Sequence, residues 1–225
     1  ESSAASDVYK RQSPDSEKEL LIWGIPIEKV DEMAALGIPL AASGDIGISE
    51  VFNPKKTHPD FVFPWVGATP VKDVAAMPEE VVICLKKVKG VHFDLLVYNN
   101  FFIVSEKLYE YMVINGFNYE NGKSIAHILD TKGKKLTEEK FYLLRFYWWE
   151  ITTEEVGIFT SEDESSHPRA ITHSSKNFLM TTQLGYENEL FVNKQLKEDI
   201  EAKFKNPTLY TMKEWEELNK EDWEL

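Results

Sequence analysis

The sequence predicts an α+β protein: a mixed or antiparallel sheet with a few short helices, containing two similar strand-cap-helix units. Three observations predict it. After residue 80, short runs rich in β-branched and aromatic residues recur at 81–85, 93–98, 101–104, 124–129 and 141–149, the composition of half-buried or buried strands. Residues 102–112 (Phe-Ile-Val-Ser-Glu-Lys-Leu-Tyr-Glu-Tyr-Met) align without a gap to residues 190–200 (Leu-Phe-Val-Asn-Lys-Gln-Leu-Lys-Glu-Asp-Ile). Each segment reads as an apolar strand, a Ser105 or Asn193 cap able to accept an orphan helix amide, and an amphipathic helix with apolar residues four apart (Leu108 and Met112; Leu196 and Ile200). Thr211-Met212-Lys213-Glu214 is a capping box and opens a last helix reaching about Asn219.

Taken in order, residues 1–18 are rich in Ser, Asp, Glu and Lys without helical or strand period and are expected to form a disordered tail. Residues 3–12 also resemble a translated adapter, so this tail is expected to be non-native. Residues 19–80 form a Pro-rich part of the same domain, and 81–225 its α+β core. The seven prolines between 19 and 78 (Pro26, Pro39, Pro54, Pro59, Pro64, Pro70 and Pro78) limit that part to short strands and turns, because proline lacks an amide donor. One helix is predicted at 27–36, with Pro26 in its first turn, Val30, Met33 and Ala34 on one face and Gly37 as its stop. The single cysteine, Cys84, lies in an apolar strand and reads as a small core residue, in keeping with a reducing cytosol. In 141–149 alternation puts Tyr142, Leu144, Phe146 and Trp148 on one face, and Phe141, Leu143, Arg145, Tyr147 and Trp149 on the other. With both faces apolar, this is the pattern of a central strand covered on both sides.

The charge narrows the function classes. The chain has 38 Asp or Glu against 25 Lys or Arg, a net charge of −13 that repels phosphate backbones and anionic lipid heads. Nucleic acid and membrane are therefore not expected partners, whereas a basic protein is. No apolar stretch reaches the roughly 18 residues of a membrane helix. Gly44-Asp45-Ile46-Gly47 lacks the Lys and hydroxyl of a phosphate loop and reads as a turn. His58, His92, His127, His167 and His173 show no metal-binding spacing, so no metal and no cofactor is expected. His167, beside Glu162, Asp163 and Glu164, and His173 are the only candidates for carboxylate-histidine hydrolysis, and no Gly-x-Ser-x-Gly elbow accompanies them. Trp148 and Trp149 are the candidates for a sugar or ligand platform. The clearest partner signal is the acidic cluster Glu150, Glu154, Glu155, Glu162, Asp163 and Glu164, faced by Arg169 alone in that stretch; such carboxylates steer a cationic partner.

The run Asp94-Leu95-Leu96-Val97, the segment 101–108, the strand Phe141-Tyr142-Leu143-Leu144 and the segment 190–196 together resemble immunity proteins of bacterial polymorphic toxin systems, most closely the families numbered eleven and forty-three. The resemblance spans about residues 90–218, with nothing before Val81 contributing. It implies an α+β fold, no catalysis, and cytoplasmic neutralisation of a cognate protein toxin, here one expected to be basic, such as a nuclease. It supplies no toxin-contact residues to carry over, and no catalytic, cofactor or metal residue is expected. The partner-binding residues expected from charge are Glu150, Glu154, Glu155, Glu162, Asp163 and Glu164.

Overall fold

A computed structural model describes residues 18–39, 44–52, 77–98, 101–117, 123–145, 173–174, 176–181 and 189–218. Two sheets and four α-helices make the chain α+β. The first sheet has six strands: β2 (Ile46–Ser49), β3 (Glu80–Leu85), β4 (Leu95–Tyr98), β5 (Phe101–Ser105), β6 (Lys123–Asp130) and β7 (Phe141–Arg145), in the order β2-β3-β6-β7-β5-β4. Only β3 and β6 run parallel, from Glu80 opposite Ile125 to Leu85 opposite Asp130; the other pairings are antiparallel, so the sheet is mixed as expected. The second sheet is antiparallel and unites the two ends of the described chain. Its strands are β1 (Lys18–Trp23), β8 (His173–Ser174), β9 (Phe178–Thr181), β10 (Glu189–Asn193) and β11 (Leu209–Tyr210), ordered β11-β1-β10-β9, with β8 against the start of β1.

Side-chain alternation assigns each strand to two cores. Phe101, Ile103, Phe141 and Leu143 join Val81, Ile83, Leu85, Phe93 and Ile128 on one face of the six-stranded sheet, closed by Met33 and Ile38. Phe102, Val104, Tyr142 and Leu144 point the other way, against Leu21, Trp23, Phe178, Leu190 and Val192 of the second sheet. The remaining face of the second sheet, Leu20, Ile22, Leu179 and Phe191, is covered by Met212 and Trp215 of α4 (Met212–Leu218). The α+β class expected from sequence thus holds, realised among the described residues as two sheets. The reason is visible in β1: Leu20, Leu21, Ile22 and Trp23 are all buried, which suits only a strand covered on both faces. The two-sided reading of the aromatic strand holds over 141–144, and β7 is interior to its sheet; residues 146–149 lie outside the described part.

The helices follow their local chemistry. Residues 27–29 form a 3-10 turn that leads into α1 (Val30–Ala35), and Gly37, at φ +79°, ends it in a left-handed turn that glycine adopts without a Cβ clash. Met33 is buried, but Ala34 is exposed, contrary to the expected apolar face. So short a helix meets the core through Met33 and through Ile38, whose amide donates to the Met33 carbonyl at 3.1 Å. α2 (Glu106–Ile114) follows β5, and α3 (Lys197–Lys203) follows β10 through a 3-10 turn at Lys194–Leu196, so both predicted strand-cap-helix units form. The capping box before α4 is reciprocal: the Thr211 amide donates to Glu214 Oε2 at 2.8 Å and the Glu214 amide to Thr211 Oγ1 at 3.2 Å.

Candidate functional site

The two strand-cap-helix units are tied to each other at both ends. In the first, Ser105 Oγ accepts from the Leu108 amide at 3.1 Å and donates to Asp94 Oδ1 at 2.5 Å. The other oxygen of Asp94 accepts from the Lys205 amide, just beyond α3, at 2.6 Å. In the second unit, Asn193 Oδ1 accepts from the Gln195 amide at 3.0 Å, while Asn193 Nδ2 donates to Asn177 Oδ1 at 3.2 Å. Asn177 Nδ2 in turn donates to the carbonyl of Asn115, the C-cap of α2, at 3.0 Å. The cap of each unit is therefore bonded, through one intermediary side chain, to the end of the other unit's helix. Asp94 and Asn193 are buried, and full hydrogen bonding is what makes such polar groups tolerable in a core.

This frame positions a cluster of cations and rings around Tyr142, near the start of β7. The rings of Tyr109 and Tyr142 meet edge-on at 5.3 Å, and Lys123 Nζ sits 3.9 Å and 4.3 Å from their centroids. Tyr142 Oη donates to Glu106 Oε1 at 2.7 Å, and Lys140 Nζ lies 2.8 Å from the same oxygen. The Lys140 ammonium, and then the Tyr142 hydroxyl, hold the Glu106 carboxyl below the usual carboxylate range. Glu106 in turn raises Lys140, and burial pushes the Tyr142 phenol up. Lys123 and Lys140 are exposed, so the cluster offers fixed positive charge on an aromatic base. Lys140 and Glu106 stand at the start of β7, while the backbone of Lys123 lies opposite Leu144 in the β6–β7 register.

The expected partner-binding residues Glu150, Glu154, Glu155, Glu162, Asp163 and Glu164 lie outside the described residues, as do Trp148, Trp149, His58 and His167. His173 pairs opposite Glu19 through the backbone of β8. His127 Nε2 is 3.0 Å from Glu80 Oε2 in an exposed pair on neighbouring strands. Among the described residues no group of three His, Cys, Asp or Glu is placed to hold a metal ion, and no helix is long and apolar enough to cross a membrane. Cys84 is a buried free thiol whose pKa burial pushes up. The reciprocal ties through Asp94, Asn177, Asn115 and Lys205 were not foreseen from sequence. One signal existed: Asp94 is a lone acid between Phe93 and Leu95, where a carboxylate has to be buried with partners.

These features define an α+β scaffold whose buried polar groups lock its elements together and whose surface carries exposed lysines beside aromatic rings. The chain matches the family model described as immunity protein 43 over residues 32–166, and it belongs to that family. The match takes in all of the six-stranded sheet and runs on through the acidic cluster, while β1 and β8–β11 fall outside it. That shifts the matching region N-terminal to the expected 90–218 and brings in residues before Val81. No curated protein and no solved structure matches the chain.

Proposed function

We propose that this chain is a non-catalytic immunity protein that acts in the cytoplasm, binding and neutralising a cognate toxin domain of a polymorphic toxin system. The observation that carries the reading is the family match over residues 32–166, which joins a complete six-stranded sheet to the acidic stretch. The toxin is basic, a nuclease being the natural case, and Glu150, Glu154, Glu155, Glu162, Asp163 and Glu164 meet its cationic active-site surface. Carboxylates in such a run compete for the groups that would otherwise hold a phosphate backbone, and the long-range attraction speeds encounter. Support for this part comes from charge: six acids stand against Arg169 between residues 150 and 169.

The test is co-expression with the toxin gene encoded beside this one in a sensitive host, followed by co-purification. The wild-type chain is expected to restore growth and to form a stoichiometric complex. Reversing Glu154, Glu155, Glu162, Asp163 and Glu164 to Lys is expected to weaken binding at least about a hundredfold, on the scale of close charge pairs at such interfaces. Toxicity without rescue or binding overturns the immunity reading. Rescue that survives the five reversals overturns only the acidic mechanism.

A further inference from the structure

On a chain of net charge −13, one end of the six-stranded sheet is basic. Because β3 and β6 are parallel, with Leu85 opposite Asp130, the loops that follow them leave the sheet side by side. They carry Lys86, Lys87 and Lys89 in one and Lys132, Lys134 and Lys135 in the other. All but Lys86 are exposed. The carboxylates engaged there are three. Asp45 lies 3.1 Å from Lys87 Nζ, Glu138 lies 2.6 Å from Lys135 Nζ, and Asp130 turns one oxygen to the amides of Lys132 and Lys134, both at 2.8 Å. Lys86 and Lys89 form no ion pair among the described residues, and Lys132 and Lys134 act on the Asp130 carboxylate without a close ion pair. The loops are also built to hold shape. Lys87 sits at φ +58°, a left-handed conformation that Gly or Asn would adopt more readily. Gly133, at φ +81°, lies under the Phe52 ring, where an added Cβ would stand 2.6 Å from Cε1.

We infer that this lysine end is a second interaction surface and that it docks a carboxylate-rich patch on a protein partner. The size and setting of the patch select that class. A limited acidic patch on a folded protein matches the ammonium groups of Lys86, Lys89, Lys132 and Lys134, which lack a close ion pair among the described residues. An extended polyanion such as nucleic acid needs a longer track of cations than two adjacent loops supply. The inference stands apart from the toxin reading, which concerns a cationic partner and a different segment.

The experiment is an NMR titration of the isotope-labelled full chain, at about 50 mM salt, with a synthetic Glu-rich peptide of about 15 residues and, separately, a single-stranded DNA of equal charge. The peptide is expected to shift the amides of residues 86–90 and 131–135 saturably. Charge reversal at Lys87, Lys89, Lys132 and Lys134 to Glu is expected to weaken it about tenfold or more, with the corresponding Gln set intermediate. Reversal at Lys197 and Lys213, far along the chain and already in i,i+4 pairs, should leave binding within about twofold. Shifts spread over all lysines, or no saturable shift in these two loops, overturn the inference. Tighter binding of the DNA at the same amides overturns it in favour of a nucleic-acid surface. None of these outcomes depends on whether the toxin assay succeeds.

Discussion

Tyr111 shows how a single polar atom sets an expectation. Its ring packs edge-on against Phe178 at 6.1 Å and Phe204 at 5.2 Å, and its buried hydroxyl interacts with the Asp199 carboxylate without a hydrogen bond of full geometry. Burial raises the phenol's pKa, and the nearby Asp199 carboxylate, which is engaged with Lys203 at 2.8 Å, adds to this. Removing a buried hydroxyl that has only such an imperfect partner, while keeping the ring, costs little or stabilises. Tyr111→Phe is therefore expected to leave the urea midpoint unchanged or to raise stability by up to about 1 kcal/mol; a loss larger than that would show a bond the geometry lacks. At this scale the sequence was most legible where chemistry is local. Ser105, Asn193 and Thr211 act as the caps their neighbours imply, because an N-cap bond spans only two or three residues. Asp94 was not legible in its role, since its partners Ser105 and Lys205 are 11 and 111 residues away.

Among elements, the two caps of the same type differ in what they hold. Ser105 serves both the start of α2 and the buried Asp94, whereas Thr211 serves only the exposed box before α4. Thr211→Ala should cost about 1 kcal/mol, the usual value of a cap. Ser105→Ala should cost about 2–3 kcal/mol, because it also leaves a buried carboxylate oxygen short of a donor. Chemical denaturation of both variants checks the order, and equal losses would mean that Asp94 finds another donor. Strands β3, β5 and β6 lie within a residue or so of the runs read from sequence, since each is an apolar run bounded by turn residues. β8 and β11, two residues each, carry no periodicity to read and exist only because β1 pairs with them. β1 falls where short strands were expected, but its place was not marked, because its four buried apolar residues sit between a polar tail and Pro26.

At the scale of the whole molecule, charge is unevenly divided. The described residues hold 21 Asp or Glu and 18 Lys or Arg, so most of the excess of acids lies elsewhere in the chain, including the 150–164 cluster. Within the described part the carboxyls of Glu106, Asp130, Asp199 and Glu214 are all held below their ordinary values. The causes are, in turn, Lys140, the Lys134 amide, Lys203 and the Thr211 amide. A depressed folded-state pKa means stabilisation that is complete above the unfolded values of about 3.9 for Asp and 4.3 for Glu. It is lost as pH falls through the lower folded values. The urea midpoint should thus be nearly flat between about pH 7 and 5 and fall below about pH 4. Glu214→Gln should make that fall shallower, and a midpoint that rises on acidification would contradict the assignment.

The pairing of β1 with β10 has a consequence in time. Leu20 faces Asn193 across the second sheet. During synthesis at about 5–20 residues per second, β1 leaves the ribosome on the order of 10–30 s before its partner exists. The six-stranded sheet, made wholly from residues between 46 and 145, has all its strands available earlier. The order of manufacture therefore favours completing the six-stranded sheet first and closing the second sheet afterwards, with β1 a hydrophobic strand waiting in the interval for β10.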